Sequence, residues 1–109
     1  MSYNIIATPK FSNDLKSLAK KYPSLKKEYP QLISALEQKP DYGTSIGNNC
    51  YKIRLAIKSK GKGKSGGARI ITYLQIIHQT IYLLSIYDKS EKENISDKEL
   101  KALLQLIKN

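Results

Sequence analysis

The sequence predicts an α+β fold, with helices grouped on one face of a mainly antiparallel sheet, and three observations carry that prediction. Apolar residues recur at helical spacing over residues 11–36 and 100–107. They alternate with period two over residues 3–7 and 50–57, and two further β-branched, apolar runs follow. At 109 residues, 40% of them hydrophobic, the chain is long enough for a single domain over residues 1–109 and one modest core. With one Phe, no Trp and eight Tyr, that core is chiefly Leu and Ile.

Tyr3, Ile5 and Ala7 alternate with Asn4 and Ile6, a short strand that runs into Thr8 and Pro9, a cap and a first helical residue. Phe11, Leu15, Leu18 and Tyr22 form one apolar helical face until Pro23 stops it. Ser24 is expected to cap a second helix with Leu25, Tyr29, Leu32, Ile33 and Leu36 inward, kinked or restarted at Pro30. So short a link makes the two helices an antiparallel hairpin, and Pro40 to Asn49, with its Gly and Asn, reads as a loop. From Cys50, the residues Tyr51, Ile53, Leu55 and Ile57 face one way and Lys52, Arg54 and Ala56 the other. Lys58 to Gly67 is a hairpin loop, and strands from Ala68 to Ile77 and from Thr80 to Tyr87, joined at His78 and Gln79, complete a three-stranded meander. Ser96, three residues before Glu99, is a capping box ahead of Leu100, Leu103, Leu104 and Ile107.

No apolar run approaches the roughly 20 residues of a spanning helix. The first nine residues lack the basic and then apolar pattern of an export signal, so a cytoplasmic protein is expected, with no membrane partner. A lone Cys50 and a lone His78 make neither a disulfide nor a zinc set, so neither a metal nor a redox centre is expected. His78, at a hairpin turn, reads as a surface residue.

The net charge of +10 is unevenly spread. No carboxylate lies between Asp41 and Asp88, whereas Lys52, Arg54, Lys58, Lys60, Lys62, Lys64 and Arg69 fall within eighteen positions. Gly61, Gly63 and Gly66 match a dinucleotide-binding spacing, but such a fingerprint must lead into a helix, and Arg69 to Leu74 is strand sequence. A P-loop is excluded too, because its first glycine would fall on Lys58. Charge that continues from a loop onto strands suits a polyanion, and nucleic acid is the natural ligand. No basic recognition helix is visible, and Tyr73, Tyr82 and Tyr87 are placed to stack on splayed bases, so the reading favours RNA.

Three segments then carry a resemblance: Cys50-Tyr51-Lys52-Ile53-Arg54-Leu55, the block from Gly61 to Ile71, and Tyr82 to Lys92. Together they resemble the RelE/ParE superfamily of toxins from type II toxin–antitoxin systems, in its HigB-like branch. The resemblance implies a helical hairpin against a twisted antiparallel sheet and a ribosome-dependent endonuclease acting on mRNA in the ribosomal A site. It also implies restraint by a cognate antitoxin and the use of no metal or small-molecule cofactor. By that analogy the RNA 2′-hydroxyl attacks the adjacent phosphate.

Such chemistry needs a base for the hydroxyl, cations for the phosphorane and a proton for the leaving oxygen. The resemblance places Lys52, Arg54 and Arg69 on the family's basic set and Lys89 on a position that contacts the scissile phosphate. Glu91 and Lys92 belong to a Lys-x-Glu-Lys feature of the branch. Neighbouring cations lower a lysine pKa, which suits Lys52 as base. Glu91 serves either as acid or base, or in an ion pair with Lys89 or Lys92. Lys58, Lys60, Lys62, Lys64, Tyr87 and Lys92 are the expected RNA contacts. Ile95 stands where a cleaving relative has tyrosine, which leaves the general acid unassigned. Two other functions fit parts of the sequence: a ParE-like gyrase inhibitor and a non-catalytic RNA-binding module.

Overall fold

Thr8 shows how the sequence sets its first junction. Its hydroxyl accepts the Phe11 amide at 3.2 Å and donates to the Leu83 carbonyl at 2.9 Å, so one side chain caps a helix and ties it to a distant strand. The computed structural model describes residues 3–61 and 66–107. From this cap the chain runs β1 (Asn4–Ala7), α1 (Pro9–Lys21), α2 (Leu25–Gln38), β2 (Thr44–Gly47), β3 (Cys50–Leu55), a 3₁₀ turn (Lys58–Lys60), β4 (Ala68–Gln75), β5 (Thr80–Asp88) and α3 (Asp97–Gln105). The strands form one sheet in the order β1-β5-β4-β3-β2, with β1 parallel to β5 and the other pairs antiparallel. The fold is α+β with a mixed sheet.

The expected grouping of helices on one face needs correction. The α1–α2 hairpin covers one face, where Phe11, Leu25, Leu32 and Leu36 meet Ile53, Ile70, Ile81, Leu83 and Ile86. Helix α3 covers the opposite face, with Leu100 and Leu103 against Cys50, Ile71 and Leu84. Those three strand residues leave an apolar patch beside the cations, and the amphipathic α3 is what buries it. Its Ser96–Glu99 capping box is formed as expected.

Other differences are local. Ser24 makes no side-chain cap on α2. Its hydroxyl instead accepts the Ser59 amide at 2.9 Å, tying the helix start to the 3₁₀ turn. Pro30 lies within a single uninterrupted α2, because three buried leucines offset the one backbone bond it cannot make. The expected loop from Pro40 to Asn49 contains β2, which turns into β3 through Asn48 and Asn49, both at positive φ (55° and 59°). That is the two-residue turn matching sheet twist, and Asn tolerates it. Strand β4 ends at Gln75, not Ile77, leaving Ile76 and Ile77 exposed in the turn beside His78.

Candidate active site

The meander register builds the site. Lys52 pairs with Ile71 and Ile71 with Ser85, while Arg54 pairs with Arg69 and Arg69 with Tyr87. Directly paired residues share a face, so Lys52, Arg54, Arg69 and Tyr87 lie on one side of the sheet. Ile71 and Tyr87 pack in the α3 cluster, which identifies that side as the α3 face. Leu84 is the extra residue where the β4–β5 register slips, a bulge beside the site.

Arg54 is exposed, but Arg69, expected among the cations that meet the RNA, is 3% exposed. The Arg69 Nη1 donates to the Ala68 carbonyl at 3.1 Å. The two arginines are directly opposed in the strand register, so their positive charges are concentrated on this part of the sheet. The Tyr87 hydroxyl is buried without a hydrogen-bond partner among the described residues. Burial pushes its pKa up while the nearby Arg69 charge pulls it down. The Lys92 ammonium sits 5.7 Å from the centre of the Tyr87 ring. Lys52 donates to Asn94 Oδ1 at 3.3 Å, beneath the segment that leads into α3.

Lys52 and Tyr87 line separate recesses. Lys52 borders one of about 140 Å³ with Ile46, Asn94 and Ile95. Tyr87, Glu91 and Lys92 border a cleft of about 310 Å³ whose far wall includes Lys10 and Asp14 of α1. The site is therefore a row of cations across β3 and β4, Arg54 facing solvent and Arg69 buried, with a recess at either end.

Several expected roles change in the folded chain. Lys60 is not available to RNA: its side chain is 5% exposed and pairs with the buried Asp88 carboxylate. Glu91 pairs with Lys21 of α1 at 3.5 Å, not with Lys89 or Lys92. Lys89 pairs with Glu93 at 3.4 Å and Lys92 with Glu99. Tyr73 and Tyr82 stack on each other, centroids 6.0 Å apart, within the α3 cluster. Lys58 remains exposed while its backbone amide donates to Glu28 Oε2 at 2.7 Å. Lys62 and Lys64 lie outside the described residues. Ile95 packs against the α3 cluster, an apolar role.

Asp88 is what sequence reading missed. Its carboxylate accepts from Lys60, from the Tyr22 hydroxyl at 3.0 Å, and from the amide and hydroxyl of Ser90 at 2.9 and 2.7 Å. Burial alone pushes this carboxyl up, but those donors together outweigh it and hold the group well below the ordinary carboxylate range. Its position at the end of a β-run, followed by Ser90, was the available signal; its partner Lys60 is brought to it only by the fold. Burial pushes the Cys50 thiol up to about 11, so it stays protonated and unreactive.

Among the described residues no three His, Cys, Asp or Glu side chains group as metal ligands, and no helix is long and apolar enough to cross a membrane.

The same architecture is found in known toxins. The free E. coli toxin RelE, in a double-arginine mutant, superposes with a TM-score of 0.65 at 13% identity, covering 98% of this chain and 99% of that one. The toxin–antitoxin complex RelBE2 of Mycobacterium tuberculosis matches at TM-score 0.58 and 15% identity, over 81% of this chain and 99% of that chain. The intact E. coli RelBE complex matches at 0.59 and 13%, over 80% and 96%. At such identities these likenesses speak for the fold alone. A family model described as the RelE toxin of the RelE/RelB toxin–antitoxin system matches residues 12–109, nearly the whole length including β3, β4 and β5, and on that match the chain belongs to the RelE toxin family.

Proposed function

We propose that this toxin is a ribosome-dependent mRNA endonuclease that works without a metal, in the HigB-like manner, and is restrained in the cytoplasm by a cognate antitoxin. The observation that carries the reading is the Arg54–Arg69–Tyr87 row, with Lys52 one pair further along the same face. The exposed Arg54 guanidinium offers the bidentate donors that suit a phosphate whose negative charge grows in the transition state, and the buried Arg69 charge opposite it adds to the attraction.

In this reading Lys52 takes the proton of the 2′-hydroxyl as its oxygen bonds to phosphorus, and Arg54 holds the phosphorane with the buried Arg69 charge behind it. The bond to the 5′ oxygen breaks and that oxygen takes a proton from water, leaving a 2′,3′-cyclic phosphate and a 5′-hydroxyl. Tyr87, walled by Lys92, holds the neighbouring nucleotide, and Lys89 steadies the scissile phosphate. Glu91, exposed on the Tyr87 cleft, is the carboxyl we assign to proton exchange. The complexes formed by relatives support a cognate antitoxin as partner.

Induction of the chain in cells followed by mapping of RNA 5′ ends tests this. New ends inside translated codons, dependent on Lys52 and Arg54, are the expected result. Intact messages with damaged DNA would overturn it in favour of gyrase inhibition, and intact messages with intact DNA in favour of simple RNA binding.

A further inference from the structure

Asp88 occupies the end of β5, directly opposite Ala68 and one residue beyond Tyr87. Four donors reach its carboxylate from three parts of the chain: Tyr22 ending α1, Lys60 ending the 3₁₀ turn, and Ser90 in the turn that carries Lys89, Glu91 and Lys92. The Asp88 carbonyl accepts the amides of Glu91 and Lys92 at 3.1 and 3.0 Å, and the Lys89 amide donates to the Gly67 carbonyl at 3.0 Å. Gly67 itself has no room for a side chain, since a Cβ would lie 2.0 Å from the Leu55 carbonyl oxygen. The Lys60 ammonium also lies 5.3 Å from the centre of the Tyr22 ring, which closes the group on its remaining side.

A buried ion pair is weak evidence for stability, because desolvation offsets most of the attraction; its directional contacts instead choose one geometry. We propose that the Lys60–Asp88 pair, with Tyr22 and Ser90, is a positioning device that fixes the Lys89–Lys92 turn relative to Arg69 and Tyr87. Asp88 and Lys60 are positioning residues: neither touches RNA, and the effect on cleavage passes through Lys89 and Lys92. The effect on cleavage rests on the endonuclease reading above; the effect on the turn does not.

The test compares wild type with the double variant Lys60→Met/Asp88→Leu, in which both charges leave together and the apolar volume is kept, and with Tyr22→Phe, which removes a single donor and keeps the ring. Backbone amide exchange is measured by NMR, with single-turnover cleavage of a message on programmed ribosomes. The double variant is expected to melt near the wild-type temperature, yet its Lys89, Glu91 and Lys92 amides, none of which touches the carboxylate, exchange about tenfold faster or more. Maximal cleavage falls by a similar factor with half-saturation unchanged. Tyr22→Phe gives the same pattern in smaller measure. Loss of protection confined to Ser90 would overturn the proposal, as would unchanged maximal cleavage in a turn that has loosened. Should wild type leave messages intact, the endonuclease reading fails, and the exchange pattern alone decides whether the clamp exists.

Discussion

Arg54 and Arg69 occupy paired positions on one face but differ in what the fold asks of them. Arg54 is exposed, so Arg54→Ala is expected to change stability by no more than about 0.5 kcal/mol, while cleavage of mRNA is lost. Arg69 is buried, and Arg69→Ala removes both packed aliphatic stem and guanidinium bonds, at an expected cost of about 1–3 kcal/mol besides the loss of cleavage. Urea titration of the two variants, run beside message cleavage, checks the contrast. An Arg69→Ala protein as stable as Arg54→Ala would show that the burial of Arg69 contributes little. The pair of arginines was legible from the strand alternation; the burial of one was not, because burial depends on what the rest of the fold packs over the strand, which alternation does not record.

Among the elements, the end of β5 is where falling pH removes stability held by a charged carboxylate. The folded Asp88 carboxyl titrates below its unfolded value, near 3.9. The stability it contributes is therefore present above about pH 4 and is lost as pH falls from there toward the folded value. Asp88→Asn removes one partner of a buried pair and is expected to destabilise by about 3–5 kcal/mol at pH 7. Stability curves for wild type and Asp88→Asn, followed by circular dichroism, should converge as pH drops below about 4; a constant gap would mean the carboxyl is not held charged. Helix stripes, the Thr8 cap and the Ser96–Glu99 box were all readable, since each lies within a few residues. Strand β2 was hidden by its four short, mostly exposed residues, although Gly47-Asn48-Asn49 ahead of an alternating run carried the turn signal. The Lys60–Asp88 contact joins two elements and leaves no periodic trace, which is why Lys60 was read as one more surface cation.

For the molecule as a whole, a net charge of +10 with the cations of β3 and β4 on one face predicts that the proposed binding to single-stranded RNA is steeply salt-dependent. Fluorescence anisotropy with a short message fragment should show the logarithm of affinity falling linearly with that of salt, at a slope of about 0.7 per phosphate contacted. Lys52→Ala should flatten the slope, whereas the double variant Lys60→Met/Asp88→Leu should leave it unchanged, because the two charges already neutralise each other inside the protein. A flatter slope for the double variant would place the Lys60 ammonium on the RNA after all.

Strand β1 has one neighbour, β5, and the two run parallel although they come from opposite ends of the chain. Strand β1 has no pairing partner until β5 has been made, and the α1–α2 hairpin has no finished sheet to rest on in the meantime. Arg69 and Tyr87 likewise come into register only once β5 arrives. A polypeptide wired this way completes its candidate site late in folding, because the pairings that finish the sheet join segments far apart in sequence.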